Sequence, residues 1–590
     1  MPPKPPYTSN PRDYWYTYLE VVACCSDEEL KQETVFARQE FETSNDIGWA
    51  IPLGYALWRS QSYKEALEIL SKAEFYENKD AQYNIIIGMV AKQVRGKEDI
   101  AKKAYSRAVK IDPFRGDIYY NFGNLIRDKS PHKAERAYQT SLLLDSASAL
   151  TWHNLGLAFN EQDRHEEALV AFKKGITLDP AFADGWCNAG LALFGIEEYD
   201  RAIKYFRYTL ELDEQCEAGL VNLGYALMNE RRPLEAIGFL KKGIELNSGS
   251  VNSVWNLALI QLMLGNYKEG WELYEARFGT QQFKDHAWPT SGLKINSINE
   301  IEISIDKPLV VWSEQGMGDA IQFCRYLYLL KENNIPFIFS TRKPLLNLMK
   351  NWLPFSGNTV LEKTWDSEKD TRPQVPLMSL PRIFKTDTHS IPSYCPYLIT
   401  PTEIPERLFV KEAPGGIKVG FAWASNPDNK SMYRHKTMPS DYLLPYLVDL
   451  VRLDLIDLHS LQVGNDAKQL DPYKDQTRVV NWDGKLEDFE DTAFVVSQLD
   501  LVISVDTAVA HLGGALGKPT WLLLPHNADF RWLLDSSDCP WYPSMRIFRQ
   551  SVRGDWQSVA DEIIEAFEML FALDIDALAN SKLNGQKHNE

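Results

Sequence analysis

Three short stretches of the 590-residue chain hold side chains whose type and spacing suit bond-making chemistry. The first reads VVWSEQGMGDAIQFCRYL over residues 310–327, where Gln315, Gly316 and Gly318 lead into Asp319. Paired glycines let a ligand approach the backbone, and an aspartate in the next helical turn can take a proton from an acceptor hydroxyl. The same aspartate also suits a plain cap of that helix. The second stretch, LVISVDTAVAHLGGALGKPTWLLLP over residues 501–525, delivers Asp506, Thr507 and Ala508 from an apolar run into a helix that bears His511. A helix start of this kind seats a diphosphate on free N–H groups. Thr507 adds a hydroxyl donor there, and Asp506 suits a sugar hydroxyl. His511, four residues on, is either a ligand contact or a core histidine. The third stretch, WASNPDNKSMYRHKTMP over residues 423–439, clusters Lys430, Arg434, His435 and Lys436 in an otherwise acidic chain. It is a phosphate clamp or a solvated loop. No GxGxxG or GxxxxGK[ST] pattern accompanies these turns, so neither a dinucleotide fingerprint nor an ATPase loop is signalled.

Positioning such turns takes parallel strands. Short apolar runs at 309–313, 336–340, 374–380, 418–424, 457–462, 478–482, 501–505 and 520–524 alternate with helical patterns. That alternation predicts two tandem parallel sheets, covering about 308–400 and 415–570. Ligands of such sheets lie beyond the carboxyl ends of the strands, in the cleft between lobes.

The first half of the chain has a different rhythm. Gly156, Gly190 and Gly224 recur 34 residues apart, each with Ala168, Ala202 or Ala236 twelve positions on and an apolar residue (Phe172, Phe206, Leu240) four further. Related units begin around Leu53–Gly54, Ile87–Gly88 and Phe122–Gly123, and a degenerate one near Val251. This is the tetratricopeptide pattern: about seven helix–turn–helix units over 47–284, stacking into a superhelix whose groove takes a protein or peptide. The last unit carries Trp271, Tyr274 and Phe278 as an aromatic stripe, expected to cap the array against the next domain.

Composition sets outer limits. With 81 acidic and 63 basic residues the net charge is −18, which disfavours nucleic acid and anionic membranes as partners. Seven scattered cysteines, without a CxxC pair, fit neither a disulfide framework nor a zinc site. The N-terminal segment lacks the apolar core of a secretory signal and no run is long enough to span a membrane, so a cytoplasmic protein is expected.

Taken together, the GMGD turn, the basic stretch and SVDTAVAHLGGALGKP resemble the heptosyltransferase-like glycosyltransferases of the GT-B fold. The C-terminal half, with LLLPHNADFRWL and PWYPSMRIFRQ, is similar to a tetratricopeptide-fused branch of that superfamily, which includes protein- and flagellin-modifying enzymes. The resemblance implies a tetratricopeptide superhelix followed by a double Rossmann-like module. Its layout would be a helical cap (1–46), repeats (47–284), linker (285–307), short acceptor lobe (308–414), nucleotide-sugar lobe (415–571) and polar tail (572–590). It further implies transfer of a sugar from a nucleotide-sugar to an acceptor hydroxyl, with inversion and without a metal or other cofactor. Asp319 would be the base. Gly316, Gly318, Lys430, Arg434, Lys436, Asp506, Thr507, Ala508 and His511 would bind the donor, with Gln315, Trp423, Ser425, Asn426, Gln462, Asn527 and Arg531 as further candidates. The chain departs from the family's usual DTG at Ala508. The other functions weighed are a glycan- or lipid-directed transferase and a repeat scaffold with a silent fold.

Overall fold

The computed structural model describes residues 11–44, 46–284, 304–314, 316–355, 360–362, 372–392, 394–410 and 416–571. Gln315, the tail and all but residues 304–307 of the expected linker lie outside them. The chain divides into two compact units, Met1–Ala226 and Leu227–Glu590. The division falls within the repeats rather than at the expected linker.

In the first unit, helices Pro11–Cys24 and Asp27–Thr43 precede a run of helical hairpins. Among them are Ala81–Gln93 with Glu98–Ile111, Ala149–Asn160 with His165–Leu178, and Ala183–Gly195 with Tyr199–Leu212. The repeated glycine has a steric cause. A Cβ on Gly156 would sit 2.6 Å from the Phe172 ring, and one on Gly190 would sit 2.6 Å from Phe206. The first helix of each hairpin thus presses its backbone against an aromatic of the second, and a side chain would drive the two apart. The tight turns place Asp163 and Glu197 at positive φ, 57° and 63°.

The second unit opens with the last hairpins, including Val251–Met263 with Tyr267–Tyr274. The aromatic stripe packs as expected. Trp271 meets Phe323 edge-on at 5.8 Å, Phe530 at 5.7 Å and Trp541 at 6.5 Å. This shared aromatic core is why the last hairpins belong with the α/β part.

Two sheets follow, and every strand pair in them is parallel. The first contains β1 (Leu309–Trp312), β2 (Phe337–Thr341), β3 (Val360–Glu362) and β4 (Gln374–Pro376) in the order β3-β2-β1-β4. The second contains β5 (Ile417–Ala422), β6 (Ile456–Ser460), β7 (Val479–Asn481), β8 (Leu501–Val505), β9 (Thr520–Leu524) and β10 (Met545–Arg549), in the order β10-β9-β8-β5-β6-β7. Buried on both faces, β8 is apolar at every position but Ser504, which is why the alternation typical of half-exposed strands is missing.

Two expected strands end early because side chains capture their amides. The Met378 N–H goes to the Glu314 carboxylate at 2.9 Å, so β4 stops at Pro376. The Trp423 and Ala424 N–H groups both go to Gln462 Oε1, so β5 stops at Ala422. The basic stretch, expected as a loop, forms a helix, Lys430–Lys436, whose first turn is capped by Asn429 accepting from the Met432 N–H.

Candidate active site

Strand order fixes where the crevices fall. In the first sheet the order reverses at β1, whose carboxyl end leads through Ser313 and Glu314 to the glycine turn and Asp319. In the second it reverses between β5 and β8, whose carboxyl ends lead to the basic helix and to Asp506-Thr507. These are the switch points at which doubly wound sheets bind ligands. The short helices Met317–Phe323 and Ala508–Ala515 bring them together. A Cβ on Gly318 would stand 2.7 Å from His511 Cδ2 and 3.6 Å from the Ala508 Cα, so only glycine permits this approach. Between them lies a cleft of about 240 Å³ lined by Gly318, Asp319, Met432, Lys436, Asp506, Thr507, Ala508, His511, Asp529 and Arg531. That volume suits a hexose ring or a pair of phosphates, below the roughly 300 Å³ at which sites for larger ligands begin.

Asp319 takes the helix-start role read from its position. Its Oδ2 accepts the Gly316 N–H at 2.7 Å, closing the helix start, while Oδ1 pairs with Arg531 Nη2. Burial pushes the Asp319 carboxyl above its ordinary value; Arg531 opposes this and Asp529 adds to it. A carboxylate raised in this way is a better proton acceptor than a solvated one. Arg531, nearly buried, also binds Asp529 at 2.5 Å and Gln322 Oε1 at 2.8 Å, and lies over the Phe530 ring at 4.6 Å.

On the facing lobe, Lys436 Nζ binds Asp506 Oδ2 at 2.6 Å. Burial works against the Asp506 charge, but Lys436, His511 and Arg531 together outweigh it and hold the carboxyl at about 2. The ammonium has three N–H donors and Asp506 takes one, leaving two for a ligand anion. His511 is pushed down to about 3, chiefly by burial, so its ring is neutral at pH 7 despite Asp506 at 3.9 Å. Its Nδ1 meets the Tyr542 hydroxyl at 3.0 Å and its ring stacks on Trp532 at 5.2 Å.

Thr507 lines the cleft at the start of its helix. Its Oγ1 shares a hydrogen bond of 3.0 Å with Ser504 Oγ, which also lies within reach of the Val505 carbonyl. The Thr507 side chain leaves its helix uncapped, and the first intrahelical bond is made by the Ala510 N–H. The amides of Ala508 and Val509 precede that bond and form the anion-attracting end of the helix.

Other candidates stand back from the cleft. Lys430, Arg434 and Asn426 are exposed and do not line it. Trp423 is buried, with Nε1 on Gln469 Oε1, and Gln462 holds the end of β5. Ser425 Oγ donates to the Met432 carbonyl. Asn527 ties Asn229 to its own loop and accepts from His435 through its carbonyl. Asp529 and Tyr542 went unread, although both lie in the quoted stretches LLLPHNADFRWL and PWYPSMRIFRQ.

Behind the glycine turn, Arg277 of the last hairpin region makes a two-pronged ion pair with Glu314, both oxygens at 3.0 Å and both side chains fully buried. Arg277 also donates to Ser379 Oγ and Glu275 Oε1. The residue five before Asp319 is thus clamped from the end of the repeats. Arg325, also buried, donates to the Trp541 and Pro392 carbonyls and lies against the Tyr397 and Tyr542 rings, bolting one lobe to the other.

In the first unit a separate apolar trough of about 790 Å³ is lined by Leu142, Leu143, Trp152, Leu155, Phe159 and Val170 from neighbouring hairpins. Leu143 is 87% exposed within it. Among the described residues no helix is long and apolar enough to cross a membrane.

Comparison with known proteins bears on the repeats. Two family models, each described as tetratricopeptide repeat, match residues 149–182 and 187–251. The chain therefore carries tetratricopeptide repeats, modules of protein interaction. Protein FlbA of Caulobacter vibrioides is 24% identical over 331 residues, which are 52% of this chain and 54% of that protein. The chain thus matches about half the length of this relative. Among solved structures, MamA is 26% identical over 28% of this chain and 95% of its own, with a TM-score of 0.26. YrrB, described as a TPR protein with an unusual peptide-binding site, is 23% identical over 31% of this chain and 94% of its own, with a TM-score of 0.26.

Proposed function

We propose that the chain is a glycosyltransferase of the heptosyltransferase-like GT-B kind, moving a sugar from a nucleotide-sugar to a hydroxyl of a protein held by the repeats. The observation that carries this reading is the meeting of two switch-point crevices, one presenting a buried carboxylate and the other a lysine and a helix start. Asp319 takes the proton of the acceptor hydroxyl, whose oxygen attacks the anomeric carbon from the side opposite the leaving phosphate and inverts it. The departing nucleoside diphosphate gains charge as the bond breaks, and the two remaining Lys436 donors and the Ala508 and Val509 amides lie where that charge collects. Arg531 sets the strength of the base, and neutral His511 and Trp532 form an apolar wall that excludes water.

The apolar trough of the first unit supports a protein acceptor, since exposed leucines suit a partner's side chains better than a glycan. A panel of nucleoside diphosphates tested by thermal shift examines the donor half of the reading. One or more should raise the melting temperature of the full chain, and Lys436→Met should abolish the rise. A flat panel would move the chain to the scaffold reading.

A further inference from the structure

The two ring nitrogens of His511 face different surroundings. Nε2 lies 3.9 Å from Asp506 Oδ1, beyond hydrogen-bond reach, and has no hydrogen-bond partner among the described residues. Nδ1 lies 3.0 Å from the Tyr542 hydroxyl. The His511 side chain is 6% exposed and lines the cleft together with Asp506, so a ring nitrogen without a protein partner there is placed for a ligand. The Tyr542 ring is seated firmly. A Cβ on Gly514, three residues beyond His511 on the same helix, would overlap it. With Trp532 stacked on the imidazole, packing sets where both rings lie. What remains to be fixed is which nitrogen carries the proton of the neutral ring.

We propose that Tyr542 is a positioning residue that holds His511 as the Nε2–H tautomer, so that the ring presents a donor to the cleft beside the Asp506 acceptor. Three features favour this tautomer. With the proton on Nε2, the Tyr542 hydroxyl donates to Nδ1 at 3.0 Å. With the proton on Nδ1, the phenol proton is left with the Tyr397 hydroxyl at 3.4 Å, an oxygen that already accepts from Arg325 Nη2 at 3.2 Å. Next, the Asp506 carboxylate, paired with Lys436, attracts an N–H at Nε2 and repels a lone pair there. Last, the Arg325 guanidinium lies 4.6 Å from the centre of the Tyr542 ring, which strengthens the phenol as a donor and weakens it as an acceptor. A hydroxyl matches the resulting pair. At about 2.8 Å from each atom it donates to Asp506 Oδ1 and accepts from Nε2–H across the 3.9 Å gap, at an angle of about 90°. An ammonium would oppose the N–H there, and a phosphate oxygen would oppose the carboxylate. The ring lies against Gly318, the neighbour of Asp319, so the hydroxyl belongs to the transferred sugar. That last step rests on the glycosyltransferase reading, whereas the tautomer does not.

The test labels the deuterated full chain with nitrogen-15 histidine and records long-range proton–nitrogen correlations at pH 7, with His511→Gln to identify the His511 signals. The expected spectrum has a protonated Nε2 and an unprotonated, hydrogen-bonded Nδ1. Tyr542→Phe should move the Nδ1 resonance toward that of a free lone pair. A proton on Nδ1 in the wild type would overturn the proposal without any need of the variant, as would an Nδ1 signal unchanged in Tyr542→Phe. Calorimetric titration then compares ADP, GDP and UDP with ADP-glucose, GDP-mannose and UDP-glucose. Tyr542→Phe should weaken the sugar nucleotide that binds by about 3–10-fold and leave the matching diphosphate unchanged, a split that a merely structural role would not produce. Equal weakening of both would overturn the assignment to a sugar hydroxyl. Binding of none would remove that assignment together with the glycosyltransferase reading, while the spectra decide the tautomer on their own.

Discussion

Replacing Arg277 by methionine leaves Glu314 fully buried with one hydrogen-bond donor, the Met378 amide, where it had three. The two lost donors are both charge-assisted, at 3.0 Å each. A buried charge stripped of its partner costs about 3–5 kcal/mol. Protonation caps the loss. Burial already pushes the Glu314 carboxyl above its ordinary value of 4.5 against the pull of Arg277. Keeping such an acid neutral costs about 3.4 kcal/mol at pH 7 and about 0.7 kcal/mol at pH 5. The sign follows from a carboxyl whose folded value is raised above its unfolded one: the variant regains stability as pH falls. Urea unfolding of the full chain, followed by tryptophan fluorescence, should show the Arg277→Met deficit relative to wild type shrinking by about 2–3 kcal/mol between pH 7 and pH 5. Adding Glu314→Gln should remove the pH dependence. A deficit under about 1 kcal/mol at pH 7, or one that does not change with pH, would refute the account of a dry ion pair clamping the glycine turn.

Further outcomes follow from the same geometry. Gly318→Ala drives a Cβ against the His511 ring 2.7 Å away and should cost about 1–3 kcal/mol in urea unfolding while lowering nucleotide affinity; wild-type behaviour would mean the two helices are not in contact. Asp506 is held near 2 against an ordinary 3.8, which is worth about 2 kcal/mol above pH 5 and is lost as pH falls through 2. Lys436→Met should therefore lose at least that much at pH 7 and then gain stability from pH 6 to pH 4, the reverse of wild type. Leu533 holds φ 52° and ψ −177°, a region suited to glycine, so Leu533→Gly should raise the melting temperature by the release of about 1 kcal/mol of strain, and an unchanged or lower value would contradict this. A fragment starting at residue 308 should fail to fold, because it lacks Trp271, Tyr274 and Arg277, whereas one starting at residue 227 should unfold cooperatively when followed by circular dichroism.

Much of this architecture is legible in the sequence where a local rule governs it. The repeats are read from Gly156 and Gly190 because each glycine answers to an aromatic sixteen positions on in its own hairpin, Phe172 and Phe206. The strands are read from apolar runs, but their ends are not. Met378 and Trp423 leave the ladder for side chains at Glu314 and Gln462, far away in the chain. The short edge strand β3 and the last strand β10 were missed, since three residues give no pattern and MRIFR carries two arginines. Within the candidate site, Asp319, Lys436, Asp506 and His511 meet because they follow strands at the switch points, a rule that needs no partner to be known. Arg531 was a secondary candidate, and Asp529, Tyr542 and Arg325 were unread. Each of these acts through a residue that only the closed sheets bring near.

The central claim is sugar transfer by the Asp319 cleft. The direct measurement incubates the full chain with a mixed set of nucleotide-sugars and a lysate of its source cell, and detects glycopeptides and released nucleoside diphosphate by mass spectrometry, with Asp319→Asn in parallel. The account predicts a glycosylated protein with the wild type, loss of at least about 100-fold of the rate in the variant, and unchanged nucleotide binding. Equal transfer by the two proteins would remove Asp319 as the base. Neither transfer nor released nucleotide with the wild type would contradict the claim.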